Sequence, residues 1–371
     1  MTQPPAAPSS RPRGRISAFK SINKTTVIGA CTFLLCIGAV VAPSAYVVEG
    51  PGPAVNTLGE DPTSGDNVIQ VSGTKTYPTE SELSLTTVSV AGGPGRSISG
   101  TQALWAWIDG SEDLKPREYV YPAGTTSQQQ DQENALAMTN SQHTATAAAL
   151  TELDIDFSTR PVVAGFAADL NKDVLKPKDV ITSVAGTKVT GYEQVPDAVK
   201  ASTGKSIGLT VERGGKKVEV SAEVGTAETE DGTRQRSLGI FITPDYDFPF
   251  KVDFGLQDIG GPSAGTMMAL GLIDKLTEGS LAGDAKVAGT GTVTDNGEIG
   301  AIGGIPQKVV GARKAGATVF LAPEANCAEL NGRVPDGITV YSVSTVHDAR
   351  EILEKLSGKG GPSLVGDQRC G

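Results

Sequence analysis

The chain has 371 residues, enough for two or three domains, and sets 32 Lys and Arg against 42 Asp and Glu for a net charge of −10. That acidity argues against nucleic-acid binding and for an acidic body. Two histidines, His143 and His347, and four cysteines leave little material for a histidine-based triad or a zinc site. Cys31 and Cys36 are the one closely spaced cysteine pair, and they lie in an apolar segment. Neither metal nor cofactor is expected.

Residues 1–24 are rich in Pro, Ser and Arg, with no acid, and read as a disordered basic cytoplasmic tail. Residues 25–48 carry no charge, and the stretch predicts a single-pass transmembrane helix. The basic flank puts the N-terminus in the cytoplasm and the body outside, anchored in the cell membrane. A cleaved signal peptide is the rival, but Ala42-Pro43-Ser44 makes a poor cleavage site and the apolar run is long for one. Residues 49–153 begin the external body. Asn67–Val71 and Leu83–Val90 read as strands, Gly124–Glu133 as an exposed loop, and Ala135–Leu153 as an alanine-rich helix.

Residues 159–224 read as a separate insertion. It holds Val162–Leu170, Asp179–Val189, a helix over Tyr192–Ala201, and strands Ser206–Val211 and Lys216–Val224 joined at Arg213-Gly214-Gly215. Gly204-Lys205-Ser206 lacks the upstream glycine of a nucleotide loop, because Val199 stands there. Gly225–Arg236 reads as a linker into a last region, 237–357, with 358–371 as a flexible tail. In that region Ser237–Ile242 and Phe250–Phe254 read as strands. So do Lys286–Gly289, Gly291–Thr294, Thr318–Pro323 and Ile338–Val343, with a last helix over Val346–Leu356. Alternating strands and helices with hairpins predict an α+β fold.

Two stretches of the last region carry chemistry. Gly260-Gly261-Pro262-Ser263-Ala264-Gly265 forces a turn before an apolar helix, Thr266–Leu276, so Ser263 is presented at a helix start where free N–H groups can hold an oxyanion. Its plainer role is a helix cap. Gly303-Gly304-Ile305-Pro306-Gln307-Lys308 opens a second helix, Ile305–Ala315. At 100° per residue Lys308 shares a face with Ala312 and Ala315, where desolvation would lower its pKa and suit it to act as a base. A lysine that snorkels to water is the plainer reading. Cys327 and Cys370 are the thiols outside the apolar span; an external location would favour a disulfide between them, and two free thiols are the equal alternative, since sequence gives no distance.

Pro262-Ser263-Ala264-Gly265, Ala288-Gly289-Thr290-Gly291 and Gly303-Gly304-Ile305-Pro306-Gln307-Lys308 together resemble the proteolytic domain of Lon-type serine proteases. The resemblance implies a ribosomal-protein-like α/β fold and a Ser-Lys dyad, with Ser263 as nucleophile, Lys308 as base and Thr290 supporting the lysine. It extends weakly to the helix holding Met138-Thr139-Asn140-Ser141. Gly260-Gly261 depart from the family's aspartate and glycine before the proline, so no role passes to Asp258. The family's ATPase part has no counterpart in the sequence, which implies ATP-independent cleavage of exposed or membrane-anchored protein and peptide substrates. Members form rings, which implies a homo-oligomer. Residues 159–224, with Asp179-Val180-Ile181, resemble a PDZ domain for peptide recognition, with its groove near Ala164–Ala168. Lys178 stands where that family usually has glycine. The reading is therefore a membrane-anchored serine endopeptidase, and its alternative is a catalytically silent PDZ adaptor.

Overall fold

The computed structural model describes residues 23–61, 64–122, 124–192, 194–228, 233–256, 259–358 and 369–370. Most of the expected basic tail, Asp258 and most of the expected C-terminal tail lie outside these residues.

The first helix, α1 (Lys24–Val41), is apolar almost throughout, with Ile28, Phe33, Leu34, Leu35 and Val41 exposed. It is shorter than the span expected over 25–48. Pro43 disfavours helix at the residue before it, and Val47 and Val48 are buried in the first strand. Among the described residues no helix is long and apolar enough to cross a membrane.

The chain then forms β1 (Tyr46–Asn56), β2 (Ile69–Ser72), β3 (Glu82–Ala91), α2 (Gly100–Ile108), β4 (Asp113–Pro116) and α3 (Arg117–Val120). The long helix α4 (Ser127–Glu152) takes in all but the first three residues of the stretch expected to be an exposed loop. A capping box starts it: the Thr126 side chain accepts from the Gln129 N–H, and the Gln129 side chain accepts from the Thr126 N–H.

Next comes the insertion, with β5 (Ser158–Phe166), β6 (Val180–Val184), β7 (Thr187–Lys188), α5 (Gln194–Ala201), β8 (Ser206–Arg213) and β9 (Lys216–Glu223). The expected linker over 225–236 instead carries a two-stranded ribbon, β10 (Gly225–Glu228) with β11 (Arg234–Ser237). Strand β12 (Ile240–Asp247) runs antiparallel to β5 from Ile240 opposite Phe166 to Asp247 opposite Ser158. The sheet of the insertion, in the order β12-β5-β6-β8-β9, therefore closes at Asp247 and not at Val224. It has its own core of Val163, Leu175, Ile181, Val195, Leu209 and Val211, among others.

The remaining elements are β13 (Lys251–Phe254), α6 (Gly265–Leu276), β14 (Lys286–Gly289), β15 (Thr292–Val293), β16 (Ile299–Gly300), α7 (Ile305–Lys314), β17 (Val319–Pro323), β18 (Thr339–Val343) and α8 (Val346–Leu356). The main sheet runs β18-β17-β14-β3-β1-β4. Its β3, β14, β17 and β18 are mutually parallel, and β1 lies antiparallel to both β3 and β4. The architecture is mixed α+β. Strand alternation sends successive side chains to opposite faces. Leu83, Leu85, Val287, Val319 and Leu321 pack under α4, α6 and α8. Ala288, Phe320, Ala322 and Val340 pack under α7. Helices α6 and α7 thus lie on opposite faces of one sheet, and a site shared by them must sit at a strand end.

Cys327 and Cys370 form a disulfide. The Cys370 N–H donates to the Val340 carbonyl, and Arg369 bridges to Tyr341, so the bond fixes the chain beside β18.

Candidate active site

The strand end in question is that of β14. Gly289 faces α6, where a side chain would meet Met267 Sδ, and Thr290 therefore faces α7. The turn before α6 is tied to this point. The N–H of Gly291 donates to the Ser263 carbonyl (2.9 Å), and the Thr290 hydroxyl donates to the same oxygen (2.9 Å). On the other side of the turn the Ser141 hydroxyl of α4 donates to the Pro262 carbonyl (3.0 Å), and the Gly261 N–H donates to the Asn134 carbonyl (3.0 Å). Helix α6 starts at Gly265, so Pro262 and Ser263 belong to the turn and not to the helix. Ser263 is not a cap: Ala264 holds the N-cap position, and no side chain caps the helix.

Helix α7 lies close against the sheet. Its N-cap, Gly304, is left-handed (φ 70°), and a side chain there would strike Val88 at 2.7 Å. Gly311, about two turns on, would strike the Gly52 carbonyl of β1 at 2.6 Å. This close approach points Lys308 inward, 2% exposed. Its amine lies 2.7 Å from Ser263 Oγ and 2.9 Å from Thr290 Oγ1. Burial lowers its pKa from 10.5 to about 8. Val309 and Ala312 are buried beside it, whereas Ala315, expected on the same face, is exposed at the helix end. Gln307, just before it, is also buried.

The hydrogen-bond pattern orients the lysine amine. The single proton of the Thr290 hydroxyl goes to the Ser263 carbonyl. At the Lys308–Thr290 contact the amine must then be the donor. The amine also lies within hydrogen-bond distance of Ser263 Oγ, and in its neutral form it has a lone pair that can accept the hydroxyl proton there. Among the described residues no acceptor is bonded to the N–H of Ser263 or Ala264.

A cleft of about 560 Å³ opens over the serine. Its walls include Pro53 of β1, Thr86 and Val88 of β3, Ile259, and Ile302 and Gly303 before α7. The β3 wall is not singled out by sequence reasoning. Its alternation reads as an ordinary half-buried strand, and the cleft exists because β14 pairs only with Glu82–Leu85 and leaves the rest of that edge open. The two histidines are elsewhere. His143 stacks edge-on with Tyr246 on the insertion side, and His347 pairs with Glu152. Among the described residues no group of three or more His, Cys, Asp or Glu could hold a metal ion.

Residues 179–357 match the family described as the Lon protease (S16) C-terminal proteolytic domain. The chain is similar to Lon protease 1 of Bacillus subtilis, 29% identical over 193 residues, which is 51% of this chain and 23% of that protein. It is also similar to the Lon protease of Desulfatibacillum aliphaticivorans, 38% identical over 119 residues, which is 31% of this chain and 14% of that protein. The chain thus spans about a quarter or less of the length of these relatives. Among solved structures, the PDZ domain of an SdrC-like protein from Listeria monocytogenes is similar over 22% of this chain and 85% of its own, at 20% identity and a TM-score of 0.20. Residues 179–357 are thus similar to the Lon protease (S16) C-terminal proteolytic domain, and the relatives named are Lon proteases.

Proposed function

We propose that the chain is a membrane-attached serine endopeptidase that works through Ser263 and Lys308. The observation that carries this reading is the 2.7 Å contact between a buried lysine and a serine that caps nothing. Neutral Lys308 takes the Ser263 hydroxyl proton as Oγ bonds to the scissile carbonyl carbon. The N–H groups of Ser263 and Ala264 face the developing oxyanion. Lys308 then passes the proton to the leaving amine as the C–N bond breaks, and water releases the acyl group with the roles repeated. Thr290 keeps the amine turned toward Ser263. The substrate chemistry is an extended peptide, for which the open edge of β3 beside the serine gives room.

The insertion is proposed to be a PDZ-type peptide-recognition unit, supported by its separate core and by the exposed edge of β12. Attachment to the membrane is proposed to run through α1, with the body outside the cell. Its support is the exposed apolar surface of α1, the basic residues before it, and a disulfide suited to an oxidising compartment. A serine-directed fluorophosphonate tests the catalytic reading. It should label the wild type at Ser263 and fail on Ser263→Ala. No labelling of either protein, together with no cleavage across a broad peptide library, would favour a silent adaptor.

A further inference from the structure

The described chain exposes large apolar side chains in two places that touch each other. The first is α1. The second is α2, whose sequence Gly-Thr-Gln-Ala-Leu-Trp-Ala-Trp-Ile has no charge. Ala106 turns inward and is buried, while Leu104, Trp105, Trp107 and Ile108 are 55–75% exposed. Tyr46 at the start of β1 and Tyr119 on α3 are exposed nearby, since Tyr46 pairs with Pro116 and the Arg117 N–H donates to the Ala45 carbonyl. Of the ten large apolar side chains exposed outside α1 among the described residues, these are six. Exposed apolar residues are ordinary when scattered, but a cluster of this kind marks a contact surface.

The position of the cluster identifies what covers it. The chain leaving α1 is bonded directly to the start of α2. The Ser44 N–H donates to the Ile98 carbonyl (2.8 Å), the Gly100 N–H donates to the Ala42 carbonyl (3.2 Å), and Pro43 bridges to Ser99. Wherever the C-terminal end of α1 sits, α2 sits beside it. Indole and phenol rings with an apolar body and a polar edge are the side chains that favour the level of lipid headgroups.

We propose that α2 lies in the lipid–water interface beside α1, with Leu104, Trp105, Trp107 and Ile108 entering the headgroup and upper acyl region. The proposal rests on the membrane attachment of α1. A helix in this position reaches about 5–10 Å into the boundary. It gives the body a second contact with the bilayer and so fixes its tilt. Strand β1 runs from Tyr46 at this surface to Pro53 in the wall of the catalytic cleft, roughly 23 Å away along the strand. The serine is then held at a set height, suited to segments of membrane-bound substrates close to the bilayer.

The chain has two tryptophans, and both are on α2, so intrinsic fluorescence reports on this helix alone. The full chain is reconstituted into vesicles of phosphatidylcholine and phosphatidylglycerol and floated on a density gradient. The expected result is flotation and blue-shifted emission. Lipids brominated near the top of the acyl chain should quench more strongly than lipids brominated near its end, and acrylamide quenching should fall several-fold. In Leu104→Gln/Ile108→Gln the protein should still float, with bromine quenching reduced and cleavage of a soluble peptide unchanged. Flotation with tryptophans that bromine does not quench and acrylamide reaches would overturn the proposal and leave the attachment of α1 standing. Tryptophans shielded from acrylamide but not quenched by bromine, in a sedimenting oligomer, would mean that a second copy covers α2 and would also overturn it. Failure to float would remove both readings.

Discussion

In the proposed mechanism Lys308 is the base, and its burial makes two measurable statements. Its pKa is lowered from 10.5 to about 8, so the folded protein binds fewer protons than the unfolded chain between those values. Stability attributable to this group therefore rises with pH from about 8 to 10.5 and is depressed below that window. Lys308→Met should remove peptide cleavage and at pH 7 raise stability by up to about 3 kcal/mol, because methionine suits the apolar site. The gain should vanish above pH 10.5, which chemical denaturation at a series of pH values would detect. Lys308→Arg should be inactive as well, since a guanidinium keeps its proton. Exposed Lys314→Met should cleave like the wild type. The kcat profile of the wild type should rise through a pKa near 8, and equal cleavage by wild type and Lys308→Met would rule the lysine out as base. Thr290→Val removes the acceptor that turns the amine and should cost about 1.5–3 kcal/mol of transition-state stabilisation, roughly ten- to a hundredfold in kcat. Thr290→Ser should restore most of it. A Val variant with normal kcat would make Thr290 merely a packing residue.

Among the elements, the turn before Asp179 shows what a single departure from a pattern costs. Lys178 keeps the left-handed conformation that a glycine would adopt freely (φ 74°), and its N–H still donates to the Val163 carbonyl. Asp179 beyond it is buried. Desolvation would raise its pKa, but bidentate hydrogen bonds from Arg213 (2.6 and 2.7 Å) and the Lys176 N–H hold it below the ordinary carboxylate value. Lys178→Gly should leave this pair intact and stabilise the insertion by about 0.5–1 kcal/mol, relief of left-handed strain outweighing the added freedom of the unfolded chain. A lower midpoint in thermal unfolding would contradict this. At the C-terminal end, Cys370→Ser should cost about 4 kcal/mol if the loop-closure account holds, and reductant should destabilise the wild type but not the variant. The same elements show how far sequence reasoning reaches. The serine turn and the lysine helix are legible because Gly-Pro punctuation and a lysine on an apolar face are local facts. The end of the insertion is not. Ile240 and Ile242 alternate as they would in any half-buried strand, and nothing local tells them to pair with β5 instead of the main sheet. The early start of α4 was written in Thr126 and Gln129, but a run of glutamines has no apolar period to announce it. The two tryptophans of α2 carry no pattern until α1 is placed beside them.

On the scale of the whole molecule, the insertion enters and leaves the main body at one point. Ser158 and Asp247 are cross-strand partners, and the rings of Phe157 and Phe248 just outside them lie 5.5 Å apart. Two cores lie on either side of that neck, one under the main sheet and one inside the insertion. Cross-strand neighbours are about as far apart as a two-residue hairpin can join. Replacing residues 158–247 by Asn-Gly should therefore leave the main sheet, the disulfide and the Ser263–Lys308–Thr290 contacts in place. The prediction is graded by substrate. A short unstructured peptide should be cleaved with kcat close to that of the full chain, because among the described residues none of the removed segment lines the catalytic cleft. A longer substrate that the insertion recognises should show a raised KM with kcat retained, the signature of lost binding rather than lost chemistry. If the shortened protein folds, as near-ultraviolet circular dichroism and fluorophosphonate labelling would show, but no longer cleaves the short peptide, then the insertion takes part in the reaction and is more than a recognition unit. If KM for the long substrate stays as it was, the insertion recognises nothing in that substrate, and substrate choice rests with the cleft formed by β3 and the serine turn.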